Sequence, residues 1–206
     1  MTPEQPVRAA GRSLRTARLS LDAVVEEDLD DHVALMSDPR VWAHLPSGRH
    51  IDPVQTAEGI RHSLGHWARD GLGYWTARLR SDLAPEQVPT GLEPGAVLGT
   101  GGCAVRVGTS WWNLYYRFTP AAWGTGLAAE LVTAALDAAR TVDPDRPVIA
   151  SLLEHNVASR KRAERSGLSL VWRGPDAHDP DPAAVRLVYA DRAIAPDLLD
   201  RITVHP

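Results

Sequence analysis

Apolar and polar positions alternate early in the chain, where Leu14, Leu19 and Leu21 sit among Ser, Arg and Thr. That spacing predicts a strand over 14–24. Glu26, Glu27 and Asp28 then supply the acid that a helix N-terminus favours. Leu29, Val33 and Met36 follow at helical intervals, and Asp38-Pro39 closes the helix. A second helix is predicted after Asp52-Pro53, because Pro suits the first turn and Ile60, Leu64 and Trp67 recur on one face. Gly71 and Gly73 end it.

Strands are predicted over 74–79 and 96–107, the latter interrupted by Gly99, Gly101 and Gly102. Between them SDLAPEQVPTGLEPG reads as an exposed, turn-rich connection. An aromatic strand follows over 111–118. Leu127, Leu131, Ala135, Leu136 and Ala139 then give a helix its apolar stripe. The continuous apolar run over 147–153 reads as a buried strand, and 156–165 as a helix stopped by Gly167. Strands over 168–172 and 185–189 come last. The order β-α-α-β-β-β-α-β-α-β-β predicts an α/β layer fold with a mixed sheet. Residues 1–12 read as a flexible N-terminal tail, and 13–206 as a single domain.

Composition narrows the function classes. The 206 residues are 44% hydrophobic and 23% charged, ordinary for a soluble domain. No apolar run approaches the roughly 20 residues of a membrane span, so no membrane partner is expected. The N-terminus has no apolar leader core, which points to the cytoplasm. The net charge of −4 comes from interspersed signs, unlike the clustered basic face of a nucleic-acid binder. Cys103 is the only cysteine, which excludes an intrachain disulfide and a cysteine zinc site. The eight histidines show no ligand spacing such as HExxH, so no metal is expected. Seven tryptophans against one phenylalanine are read mostly as core, with a minority lining an acceptor pocket.

Two segments carry candidate chemistry. In TPAAWGTGLAAEL a strand turns directly into a helix, and Gly124 and Gly126 let backbone N–H groups approach an anion. The helix N-terminus near Leu127 adds partial positive charge, an arrangement suited to a pyrophosphate. The third Gly of a dinucleotide fingerprint and the Lys-Ser/Thr of a P-loop are missing. In HNVASRKRAERSGL, Asn156 is placed to cap a helix, Ser159 lies one turn on, and Arg160-Lys161-Arg162 form a basic spot. These residues alone leave open a capped surface helix, or a protein using the glycine turn for another phosphate ligand.

Together the two segments resemble the GNAT superfamily of N-acetyltransferases, in particular its RimJ/RimL-like branch. That branch reads Y-x-h-x-P-x-x-W-G-x-G-x-A-x-E, with h apolar. Tyr116, Phe118, Pro120, Trp123, Gly124, Gly126, Ala128 and Glu130 match it position by position. Asn156, Ser159, Ala163, Arg165, Gly167 and Leu168 match the later signature, and the likeness runs over about residues 14–190. The resemblance implies a sheet with splayed central strands, helices on both faces and acetyl-CoA in the gap. It implies that the main chain of Arg117 and Phe118 pairs with the pantetheine arm. It further implies that the amides of Trp123, Gly124, Thr125, Gly126, Leu127 and Ala128 hold the pyrophosphate. Asn156 and Ser159 then meet the pantetheine, and Arg160 and Arg162 the phosphates.

The reaction this implies is direct transfer of an acetyl group, in a ternary complex, to an amine of a small molecule or a protein N-terminus. The Phe118 N–H is the candidate to polarise the thioester carbonyl. Ser159 is the candidate proton donor, since Ala163 stands where many relatives have a Tyr. Asn113 replaces a Glu often found on the strand before the loop, which leaves Glu154 and His155 as candidate bases. Those replacements also keep open a non-catalytic acyl-CoA-binding or regulatory module. Cys103, inside a Gly-rich strand, reads as structural rather than as an acyl carrier. Trp42, His44, Trp67, Trp111, Trp112 and Asn113 are expected around the acceptor, and the aromatic strand edge offers a surface for a homodimer.

Overall fold

The computed structural model describes residues 11–176, 179 and 181–204, so most of the expected tail lies outside the described residues. The strand expected over 14–24 is a hairpin of β1 (Ser13–Arg15) and β2 (Leu19–Ala23). Its turn is fixed from afar by Glu130, which accepts from Thr16 Oγ1 at 2.6 Å, Arg18 N at 2.9 Å and Arg18 Nε at 2.6 Å. A turn held by a carboxylate 112 residues away leaves no local signature.

Helix α1 (Leu29–Ser37) and helix α2 (Pro53–Asp70) form as expected. Asp52 caps α2 by accepting from Val54 N at 2.9 Å, and Gln55 Oε1 accepts in return from Asp52 N at 3.2 Å. Gly71, at φ 69°, ends it in the left-handed conformation. Strands β3 (Tyr74–Leu79), β4 (Val97–Ala104) and β5 (Trp112–Phe118) pair antiparallel in chain order. Gly99 and Gly101 do not interrupt β4. A Cβ there would run into the Arg117 and Tyr115 carbonyls, so these glycines let β5 come close.

Helix α3 (Leu127–Val142) leads to β6 (Val148–Leu153), and α4 (Val157–Arg165) to β7 (Ser169–Pro175) and β8 (Val185–Ala190). The sheet order is β1-β2-β3-β4-β5-β6-β8-β7. Pleating puts successive residues on opposite faces. Trp75 shares a groove with Ala134 and Ala138 of α3, whereas Thr76 turns to His32 of α1, so the sheet is covered on both sides. Leu131, Val132, Ala135 and Leu136 of α3 are buried in the main core with Leu19, Leu21 and Trp75.

A last helix, α5 (Pro196–Val204), was not anticipated. Its Ile202 is fully buried in a small second core with Trp111, Ile149 and Val188. Pro196 in the first turn and Leu198 four residues before Ile202 were the available signal.

The feature that matters for chemistry is where β5 leaves β6. These two strands form a parallel pair, and it is short: Trp112 pairs with Val148, Asn113 with Ile149, and the ladder stops. Beyond Asn113 the two strands diverge.

Candidate active site

The gap between the diverging strands is a cleft with two joined cavities of about 150 and 550 Å³. Leu114 to Arg117 of β5 line one wall, and Ala150 to Leu153 of β6 the other. His44, Tyr116, Arg117, Asn156, Ser159 and Arg162 border both cavities, so the two are one space. The unpaired edge of β5 leaves backbone groups available to an extended ligand.

At one end stands the β5–α3 turn. Gly124 and Gly126 take φ values of 77° and 85°, which a side chain would strain. Among the described residues the amides of Gly124 to Ala128 have no backbone acceptor. Of these, Gly124, Gly126 and Ala128 line the larger cavity at the helix start. The indole of Trp123 donates to the Phe118 carbonyl at 2.9 Å, and the Thr125 hydroxyl to the Ala122 carbonyl at 2.7 Å, which holds the turn open. The Leu127 side chain is fully buried in the core, so only its amide serves the site. Lys161, Arg162 and Arg165 line this end. Arg160 does not; it leans at 4.0 Å toward Glu164, which accepts from the Tyr189 phenol of β8. The expected pair of cations is therefore corrected to Lys161, Arg162 and Arg165, because helical phase carries Arg160 off the cleft. Unpaired strand edge, free amides and cations fit coenzyme A.

Asn156 caps α4, its side-chain oxygen accepting from Ser159 N at 3.2 Å. Ser159 hydrogen-bonds the Tyr116 phenol, whose pKa burial raises, with that bond and the Arg162 charge offsetting part of the rise. Tyr116 is thus protonated at neutral pH. Glu154 turns away: Arg173 Nε and Nη2 donate to its two oxygens at 2.7 and 3.0 Å and hold its pKa below the ordinary value. A carboxylate so engaged is a poor base. His155 is exposed, and its Nε2–H donates to the His44 carbonyl at 2.8 Å, bridging the cleft mouth. Among the described residues no Asp or Glu lines either cavity.

The opposite wall comes from the α1–α2 connection. His44 lines both cavities, and burial first, then the charges of Arg117 and His155, lower its pKa to about 4. Trp42 is buried, but its ring lies flat beneath the Arg117 guanidinium. The other tryptophans expected here are core residues. Trp67 packs edge-on against Trp75 and donates to the Tyr74 carbonyl at 3.0 Å. Trp111 belongs to the second core with Ile202, and Trp112 to the main core. Asn113 precedes the divergence and donates to the Tyr74 phenol oxygen at 3.2 Å. Tyr115 and Arg117, on one face of β5, and Tyr116, on the other, line the cleft in their place past the point of splay.

Residues 18–169 match the family model described as the acetyltransferase (GNAT) domain. No curated protein matches the chain. An acetyltransferase from Agrobacterium tumefaciens is similar in structure at 24% identity, with TM-score 0.68, over 92% of this chain and 99% of that one. A GNAT-family acetyltransferase from Bacillus anthracis aligns at 16% identity and TM-score 0.68 over 86% and 96%. RimL, a ribosomal alpha-N-protein acetyltransferase in complex with coenzyme A, aligns at 14% identity and TM-score 0.68 over 87% and 96%. These likenesses speak for the fold. With the family match spanning most of the folded residues, and a splayed sheet that opens onto a glycine turn, the chain belongs to the GNAT acetyltransferase family.

Proposed function

We propose that the chain moves the acetyl group of acetyl-CoA directly to a primary amine held in the same cleft. The observation that carries this reading is the single continuous space. It runs from the free amides and cations beside α3 to the wall built by His44 and Arg117. Acetyl-CoA, when bound, supplies the activated thioester. Thr119 N donates to the Leu98 carbonyl of β4 at 2.8 Å, so strand alternation turns the Phe118 N–H away from β4 and toward the gap. There it serves to hold negative charge growing on the acyl oxygen. The Ser159 hydroxyl, backed by Tyr116, supplies the proton that the departing thiolate needs.

With Glu154 bound to Arg173 and His44 a weak base because its pKa is lowered to about 4, deprotonation of the amine falls to water in the cleft. The rate is therefore expected to climb with pH toward an amine pKa of roughly 8–10. Cys103 is fully buried, and burial raises its thiol pKa well above the ordinary value, which favours direct transfer over an acyl-enzyme.

The test is release of free CoA, followed with a thiol reagent, across a panel of amines. Acceptor-dependent release supports the transferase. Binding of acetyl-CoA without release for any acceptor would favour a non-catalytic acyl-CoA module.

A further inference from the structure

Arg117 enters the cleft as a cation that no carboxylate answers. Its guanidinium carbon lies 3.3 Å from the centroid of the Trp42 ring. Nε donates to the Tyr115 phenol oxygen at 2.9 Å, and Nη1 donates to the Val41 carbonyl at 3.2 Å. Among the described residues no acid pairs with it, and Nη2 has no hydrogen-bond acceptor. Arg186, which lines the smaller cavity, is neutralised by Asp176, to which its Nε donates at 2.9 Å. Lys161 and Arg165 stand at the far end, where the phosphates of coenzyme A belong, and Arg162 borders both cavities.

A half-buried cation without a counter-ion carries a desolvation cost. The stacking on Trp42, the two hydrogen bonds to the phenol and the carbonyl, and a longer contact of Nη1 with His44 Nε2 at 3.5 Å fix the guanidinium plane, but all are neutral and leave its charge uncompensated. A planar fork preset in this way suits a carboxylate better than any other common group. Its field is felt around it: burial first, and then the Arg117 charge, hold both His44 and His50 below their ordinary pKa. A second ammonium, as in a polyamine, meets cations and, among the described residues, no carboxylate here.

We propose that Arg117 receives a carboxylate of the acceptor. The acetylated amine then belongs to an amino carboxylate, either a free amino acid or a peptide with an acidic first residue. The proposal rests on reading the cleft as a transferase site.

The full chain is assayed with acetyl-CoA and matched acceptors: phenylalanine, phenylalaninamide and phenethylamine; amidated peptides beginning with Asp or Asn; and spermidine. Members carrying the carboxylate are expected to show kcat/KM higher by about tenfold or more, the scale of one charge-assisted hydrogen bond. In Arg117→Ala that preference collapses toward unity, and in Arg117→Lys part of it survives. The thermal stabilisation given by CoA stays unchanged in both variants, which also reports that they fold. Preference for free phenylalanine identifies a small-molecule acceptor; preference for the Asp peptide identifies a polypeptide one. Equal use of the amides, use of spermidine alone, or a preference kept in Arg117→Ala overturns the inference. So does weakened CoA binding in Arg117→Ala, which would assign the guanidinium to the donor. CoA binding without turnover of any carboxylate-bearing amine overturns it while leaving the donor site standing. Failure to bind CoA would instead sink the transferase reading itself.

Discussion

Arg78 on β3 and Arg117 on β5 are both half-buried arginines near α1, and they sit in opposite surroundings. Arg78 donates to Asp28, a carboxylate only 2% exposed. Asp28 also accepts from Thr76 Oγ1 at 2.5 Å and from Val25 N at 3.2 Å, and Thr76 in turn accepts from His32 Nε2 at 3.0 Å. Every polar group in that set has a partner. Around Arg117 the partners are a ring face, a phenol, a carbonyl and the neutral His44 ring, with the charge left over. A closed network locks α1 onto the sheet. An open one reserves its binding capacity for a ligand. The difference predicts that the first set governs stability and the second governs turnover.

Asp28→Ala cuts deepest. It strands Arg78 and Thr76 and should cost about 3–5 kcal/mol in a urea melt, as removal of one partner of a buried pair does. The folded fraction should retain wild-type kcat; a loss below about 1 kcal/mol, the level of a surface pair, would place the network at the periphery of stability. Ser159→Ala does the reverse. It should lower kcat by about 100-fold, the lower range for proton donation, with the melting temperature unmoved. Unchanged turnover would remove Ser159 from that role.

Acid should distinguish His44 from Asp28 on the pH axis. His44 has a pKa of about 4 when folded against 6.5 otherwise, so between these values the unfolded chain binds more protons. Stability is then fully present above pH 6.5 and falls as pH drops toward 4. Asp28 has burial raising its pKa, but Thr76, Val25 and Arg78 outweigh that and leave it below 3.8. Its contribution is full above 3.8 and is lost only below that value. Melting temperatures against pH should show both phases, and His44→Gln should remove part of the first alone. The smallest effect is expected from Arg117→Leu on stability, within about 1 kcal/mol, because no ion pair is broken. A larger loss would mean that Arg117 holds the fold and would blur the contrast.

The donor half of the cleft was legible along the chain. Gly124 and Gly126 announce a tight strand–helix turn, and Asn156 announces a cap, because these roles depend on backbone conformation within a few residues. The acceptor half was much less so. Trp67, Trp111 and Trp112 carry the same side chain as Trp42, yet only Trp42 supports a cleft residue. Nothing in their neighbours separates a ring that fills the core from one that backs a binding group. Glu154 and Arg160 looked available for chemistry until Arg173 and the phase of α4 assigned them elsewhere.

The sequence by itself therefore determined the order of elements from α1 to β8, the glycine turn, the capped helix and the family, all written in spacings shorter than a helix or a loop. Only the tertiary structure decided that β5 and β6 part after two pairs, that Glu130 pins a distant hairpin, and that Trp42 lies under Arg117. Arg18 and Glu130 lie 112 residues apart, and Val41 and Arg117 lie 76 apart. The energies of such contacts depend on burial and on which charges lack partners, quantities that exist only once the whole chain has packed.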